Sequence, residues 1–218
     1  MARRFELLVF DWDGTLMDSA AAITASLQAA CQDLDLPVPS DKEARFIIGL
    51  GLNDAMAHVL PSLAPANYAR VAERYRHHFL ADGSRVGLFP GAQETVAELH
   101  EAGFVLAVAT GKSRRGLDRE LAATRLGAYF HATRCADESF SKPHPGMLQH
   151  LIDELGVDTA RTLMIGDTIH DMEMARNAGV ARLGVAYGAH ARHELLAFDP
   201  VGCVDAIGEL RAWLLAHA

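Results

Sequence analysis

The sequence predicts an α/β protein: a parallel sheet covered by helices, with an all-helical segment inserted after the first strand. Three observations carry this. Short, almost wholly apolar runs alternate with helical stretches, several of these runs end in an acid or a threonine beside glycine, and residues 19–88 hold no convincing strand. Strands that are apolar on both sides belong to sheets buried on both faces, which are typically parallel.

In chain order, Leu7-Leu8-Val9-Phe10 predicts a buried strand that runs into the turn Asp11-Trp12-Asp13-Gly14. Ala20 to Leu34 has apolar residues at helical spacing, Gly51 to Leu60 predicts a shorter helix stopped by Pro61, and Ala66 to Ala81 a third. Pro90-Gly91 marks the return to the sheet domain. Gln93 to Ala102 places Val96, Leu99 and Ala102 on one helix face before Gly103. Phe104 to Ala109 is a second strand ending at Thr110-Gly111, and Arg114 to Leu126 a helix closed by Gly127. Pro145 to Leu155 opens with proline and stops before Gly156, as helices often do. Thr162 to Ile165 is a third strand ending in Gly166-Asp167, Asp171 to Ala178 a helix before Gly179, and Ala181 to Ala186 a fourth strand. The organisation expected is a core of residues 1–18 and 89–218 with a helical cap of residues 19–88, joined by linkers around Leu16–Ser19 and Ser84–Pro90.

Composition narrows the function. The chain has 218 residues, half of them hydrophobic, and a formal net charge of −8 with no long basic run. That argues against a nucleic-acid surface, which needs clustered Lys and Arg. Three widely separated cysteines, Cys31, Cys135 and Cys203, form no metal or disulfide pattern and suit a reducing cytoplasm. The apolar run after Arg3-Arg4 is too short for a signal peptide, and no stretch approaches the roughly 18–20 apolar residues of a membrane span. The expected partner is a small molecule, with no nucleic acid and no membrane, and the chain a monomer or homodimer.

Open parallel sheets bind ligands beyond the carboxyl ends of their strands. Asp11 and Asp13 end one strand, Thr110 another and Asp167 a third. Taken singly, each is compatible with a turn or a helix cap; their coincidence points to a site. Residues i and i+2 of an extended segment share a side, so Asp11 and Asp13 can face one centre.

Four motifs, in order, resemble those of the haloacid dehalogenase superfamily. They are Asp11-Trp12-Asp13-Gly14-Thr15 for D-x-D-G-T, Thr110 in Ala109-Thr110-Gly111-Lys112, Lys142 before Pro143, and Gly166-Asp167-Thr168-Ile169-His170-Asp171 for G-D-x-x-x-D. The match spans Phe5 to about Tyr187, and the insert resembles the small helical cap of phosphoglycolate phosphatase-like members. The resemblance implies a Rossmann-like core and hydrolysis of a small organic phosphate monoester. Asp11 would be the nucleophile forming an aspartyl-phosphate, and Asp13 the acid/base partner. Thr110 and the Gly111 amide would hold phosphate oxygens while Lys142 neutralises charge. It further implies Mg²⁺ on Asp11, Asp167 and the backbone carbonyl of Asp13, with Asp171 orienting a metal-bound water or Lys142. The charge count supports a cation: four acids and a phosphate face a single lysine, and Mg²⁺ accepts oxygen ligands from protein, water and phosphate together.

Asp13 separates the chain from the dehalogenase and phosphonatase branches, which lack the second acid. A phosphomutase of the β-phosphoglucomutase type shares the same core and stays open as an alternative. So does a receiver-like phospho-acceptor domain, a shorter fold that also places Asp, Thr and Lys at strand ends. For the substrate, possibly 2-phosphoglycolate by resemblance, the cap residues Arg45, Asn53, His58 and Arg76 are candidates, with Arg45 the one expected to bind a substrate carboxylate. The loop Ile48-Gly49-Leu50-Gly51-Leu52 is expected to approach the core, since glycine permits close backbone contact. Lys112, Arg114 and Arg115 either draw in an anion or form an exposed first helical turn. His77-His78 reads as a solvated face; His144 and His170 adjoin motif residues.

Overall fold

A computed structural model describes residues 4–82 and 86–217. Six parallel strands, β1 (Leu7–Phe10), β2 (Val105–Thr110), β3 (Ala132–Cys135), β4 (Thr162–Gly166), β5 (Ala181–Val185) and β6 (Gly202–Val204), form one sheet in the order β3-β2-β1-β4-β5-β6. This is the doubly wound order whose reversal, between β1 and β4, opens a crevice at the carboxyl ends of the strands. It differs from the 2-1-3-4-5 order of receiver-like folds, so that alternative falls.

Leu7–Phe10 sit at the centre, each residue paired with one of 105–108 on one side and 162–165 on the other. Alternate side chains fill opposite faces. Leu8, Phe10, Leu106, Val108, Leu163 and Ile165 join one apolar cluster, while Leu7, Val9, Ala107, Ala109 and Met164 join the other. That two-sided burial is why these strands read as continuous apolar runs. The strands β3 and β6, at the two edges, were not expected. Ala132-Thr133-Arg134-Cys135 carries two polar residues and Gly202-Cys203-Val204 is very short, so neither produces an apolar run.

The helices are α1 (Ala20–Asp33), α2 (Asp41–Phe46), α3 (Leu52–Val59), α4 (Tyr68–Asp82), α5 (Ala92–Glu101), α6 (Arg114–Thr124), α7 (Gly146–Leu155), α8 (Ile169–Ala178), α9 (Arg192–Leu196) and α10 (Ile207–His217). The sequence reading omitted α2, six residues long, although its capping box of Ser40 and Glu43 was a legible start signal. The helix α6 stops earlier than expected, at Arg125, which adopts a left-handed φ of 59°. The helix α8 begins two residues before Asp171, with Thr168 as its N-cap and Asp171 completing the capping box.

Helices α1–α4 enclose an apolar cluster of their own, including Leu27, Cys31, Ile47, Met56, Leu60 and Val71. Ala20, Ile23, Ile48 and Phe79 form another, against which Ala189 of the sheet half packs. The two linkers run side by side: Met17 bridges Leu88, the Asp18 amide donates to Gly87 at 2.9 Å, and the Phe89 amide donates to Leu16 at 2.9 Å. Ser84 and Arg85 of the second linker lie outside the described residues.

Candidate active site

The site residues converge on the crevice. Asp11 follows β1, Thr110 ends β2, Lys142 precedes α7, and Asp167 follows β4. Asp11, Asp167 and Asp171 are fully buried, and one oxygen from each lies within 4.8 Å of the others. Lys142 Nζ stands between two of them, 2.7 Å from Asp11 Oδ1 and 2.7 Å from Asp171 Oδ1. Asp11 Oδ1 is thus held by the lysine, while Oδ2 has no partner among the described residues.

The local sequence explains how three carboxylates are held so close. Asp167 Oδ1 accepts from the Thr15 hydroxyl at 2.8 Å and Oδ2 from the Ala189 amide at 2.7 Å. A Cβ on Gly14 would lie 2.1 Å from Asp167 Oδ2, and one on Gly188 2.3 Å from the same atom, so two glycines form the slot for this acid. Gly14 also has φ of 81°, a backbone state in which a side chain is strained. Asp171 Oδ2 accepts from the Thr168 amide at 3.1 Å and its hydroxyl at 2.6 Å, which turns Oδ1 toward Lys142. Helix capping and lysine orientation are thus divided between the two oxygens of one residue.

Burial holds the Asp11 carboxyl well above the usual carboxylate range, and Asp171 and Asp167 add to the rise against the opposing pull of Lys142. Burial, then Asp171, raises Asp167 as well. For Lys142 burial works against the charged form, but Asp11 and Asp171 outweigh it and raise its pKa. The cluster is therefore short of positive charge. Hard oxygen donors, close spacing and an unpartnered Asp11 Oδ2 fit a small divalent cation such as Mg²⁺.

Asp13 faces a second group of charges. Its Oδ1 accepts from the Ser19 hydroxyl at 2.6 Å and lies 3.1 Å from Lys112 Nζ. Lys112 also pairs with Glu120 Oε1 at 3.0 Å, and Glu120 Oε2 accepts from the Trp12 indole at 2.6 Å. Ser19, Glu120 and Trp12 were not singled out from sequence. Spacing gives no sign of the Glu120 contact, because it depends on how α6 packs against the turn after β1. The open choice for Lys112 resolves to a buried residue facing Asp13. Arg114 instead ties α6 to Glu138, Asp118 and Thr133. Arg45, at the end of α2, makes no guanidinium hydrogen bond or ion pair among the described residues. His78, read as a solvated face, lies 2.6 Å from Asp33 of α1.

The loop after α2 closes over this centre. A Cβ on Gly49 would lie 3.9 Å from Asp11 Oδ2, and one on Gly111 would lie 2.5 Å from the backbone oxygens of both Gly49 and Leu50. The Gly51 amide donates to Ser141 Oγ at 2.7 Å. His170 Nε2 and His190 Nε2 lie 2.7 and 3.2 Å from the Phe46 carbonyl. His190 Nδ1 accepts from the Ile169 amide at 3.0 Å, so its proton sits on Nε2. Burial lowers His170 to about 4, so its neutral ring donates. Phe46 itself stacks between His58 and His190. His144 turns away to cap the Gly146 amide.

Residues 8–185 match the family model described as "Haloacid dehalogenase-like hydrolase". The chain is 37% identical over 211 residues to a "Probable phosphatase IndB" of Dickeya dadantii, covering 94% of this chain and 91% of that protein. It is 29% identical over 214 residues to a phosphoglycolate phosphatase of Vibrio parahaemolyticus, covering 94% of each. A hydrolase from Pseudomonas syringae superposes with a TM-score of 0.89 at 21% identity, covering 97% of this chain and 98% of that one. With the motifs, the strand order and the buried acid cluster all in place, the chain belongs to the haloacid dehalogenase-like hydrolases.

Proposed function

We propose that this hydrolase is a Mg²⁺-dependent phosphatase that cleaves a small organic phosphate monoester through an aspartyl-phosphate on Asp11. The observation that carries this reading is Asp11 itself: a fully buried carboxylate whose Oδ1 meets a buried lysine and whose Oδ2 has no partner among the described residues. Such a group is costly unless its environment supplies charge when it works. Its place at the carboxyl end of β1, where open parallel sheets bind ligands, suits attack on phosphorus. The Asp11–phosphorus bond forms as the bond to the leaving oxygen breaks, and Asp13 passes a proton to that oxygen. Asp13 then removes a proton from the water that attacks the aspartyl-phosphate, which returns Asp11 and releases inorganic phosphate. Splitting one displacement into two lowers each barrier.

In this reading Asp11, Asp167 and the Asp13 carbonyl hold Mg²⁺, which supplies positive charge to the phosphate oxygens when bound. The Thr110 hydroxyl accepts from the Lys112 amide at 3.2 Å, which leaves its own hydrogen free to donate to a phosphate oxygen together with the Gly111 amide. Lys142 balances charge on the phosphoryl group and is oriented by Asp171. Residues 19–88 act as a cap on the core of 1–18 and 89–218, excluding water with the 46–51 loop. The relatives named as phosphoglycolate phosphatases support a small carboxylate-bearing ester, such as 2-phosphoglycolate, as substrate.

The test is release of inorganic phosphate from an aryl phosphate and from a panel of natural monoesters, with and without Mg²⁺. Asp11→Asn removes the nucleophile while conserving shape, and should abolish turnover while leaving the fold intact by circular dichroism. No turnover by the wild type on any ester overturns the phosphatase reading; near-wild-type activity of the variant overturns the assignment of Asp11.

A further inference from the structure

We infer that Lys112 is the specificity-determining cation, the residue that receives a carboxylate on the leaving-group side of the substrate. This rests on the phosphatase reading above and adds the residue that selects among esters. The sequence reading favoured Arg45 for such a role; the geometry points to Lys112.

The placement of Lys112 follows from the acid/base residue. A group that protonates the leaving oxygen must lie about 2.6–3.2 Å from it. Lys112 Nζ is 3.1 Å from Asp13 Oδ1. Whatever the leaving oxygen is attached to therefore emerges beside Lys112. A carboxylate one carbon removed from the ester oxygen spans the remaining gap with one charge-assisted hydrogen bond of about 2.7–2.9 Å.

The ammonium is also under-satisfied. A lysine has three N–H donors. Two have oxygen partners, Asp13 Oδ1 at 3.1 Å and Glu120 Oε1 at 3.0 Å. The third makes no hydrogen bond or ion pair among the described residues; Nζ lies 5.0 Å from the ring centroid of Phe79 of α4, with the Tyr75 phenol near enough to interact electrostatically. The side chain is only 11% exposed, so water does little to complete its shell. A buried donor that lacks an acceptor is a ready receptor for an anion.

The surroundings limit what the anion can be. Phe79, Ile23, Ile48 and Ala20 form the apolar wall on the α1–α4 side, with Tyr75 stacked on Phe79. Arg119 reaches the same Glu120 oxygen at 3.3 Å but its side chain is 47% exposed, and the Arg45 guanidinium makes no ionic contact with any described site residue. A compact carboxylate suits such an apolar wall better than a sugar, whose hydroxyl groups would be left unpaired against it.

The test compares two esters that share a leaving oxygen, 2-phosphoglycolate and its uncharged amide 2-phosphoglycolamide. The wild type should prefer the acid in kcat/KM, and Lys112→Met should reduce that preference at least tenfold, mainly through KM. Lys112→Arg should restore most of it. If Lys112→Met does not fold, Lys112→Gln, which keeps a donor for Glu120 but no charge, should show the same loss of preference. A purely structural role would slow both esters alike, leave their ratio unchanged, and overturn the assignment. A ratio that falls with Arg45→Ala but not with Lys112→Met overturns it in favour of Arg45. Equal wild-type turnover of both esters overturns the role of Lys112 while leaving the phosphatase reading intact; no phosphate from either, with turnover of other monoesters, does the same, and no phosphate from any ester overturns both.

Discussion

Replacing Gly111 by alanine separates closure of the 46–51 loop from the chemistry beneath it. The new Cβ would sit 2.5 Å from the carbonyl oxygens of Gly49 and Leu50 and 2.7 Å from the Gly49 carbonyl carbon. These are backbone atoms, which cannot rotate away as a side-chain tip can. The loop must retreat by about 0.9 Å, the shortfall between 2.5 Å and the 3.4 Å of an ordinary contact. Gly111 does not adopt a left-handed φ, so alanine adds no backbone strain, and the amide expected to bind phosphate is kept. The penalty falls on the closed state alone. Overpacking of this kind costs about 1–3 kcal/mol, which at ~1.4 kcal/mol per tenfold lowers the closed population roughly 5- to 150-fold. Steady-state phosphate release should show kcat/KM reduced by about one to two orders of magnitude, in keeping with the cost of an ~1 Å misplacement near reacting groups. Limited proteolysis should cut within 46–51 faster than in the wild type. A kcat/KM within twofold of wild type, with the loop equally protected, would show that closure as drawn here is not needed for turnover.

Metal and proton should compete for the acid cluster. Asp11 and Asp167 are raised above 3.8 in the folded chain without metal. Between 3.8 and those raised values the folded state holds protons that the unfolded state has released, so stability falls as pH rises through that window. Added Mg²⁺ removes this loss, and the gain in melting temperature on adding Mg²⁺ over EDTA should be larger at pH 8 than at pH 5; equal gains would refute the argument. Lys142→Met leaves Asp11 and Asp171 buried without their shared partner, and should cost about 3–5 kcal/mol at neutral pH in urea denaturation; a loss under about 1 kcal/mol would contradict the pairing. Gly208 lies in the first turn of α10, where a Cβ would meet nothing within 4 Å. Gly208→Ala should therefore stabilise the chain by about 0.5–1 kcal/mol in the same assay without altering phosphate release.

The central strands were legible because burial on both faces leaves no room for polar residues, as in Leu7–Phe10 and Thr162–Gly166. Edge strands face that demand weakly, so Thr133 and Arg134 concealed β3. Asp11, Thr110, Lys142, Asp167 and Asp171 were legible as motif residues whose spacing is set by single turns and caps. Lys112 was visible as a charge but not as a buried one, because its environment is made by Phe79 from a distant helix and Glu120 from the next. The roles of His170 and His190 at the Phe46 carbonyl were likewise hidden: both contacts span more than a hundred residues of chain.

The central place of β1 bears on how the chain assembles during synthesis. Its four buried apolar residues are made early, yet their strand partners, beginning at Val105 and Thr162, emerge much later. Helices of the 20–82 segment can collapse locally in the interval, since local contacts form quickly and distant strand pairing slowly. Meanwhile Leu7–Phe10 is an unpaired hydrophobic strand, the kind of segment that seeds aggregation. Glu6 and Asp11 bracket it with negative charge, as gatekeeper residues do. Asp11 thus places a negative charge at the end of this strand before any crevice has formed around it.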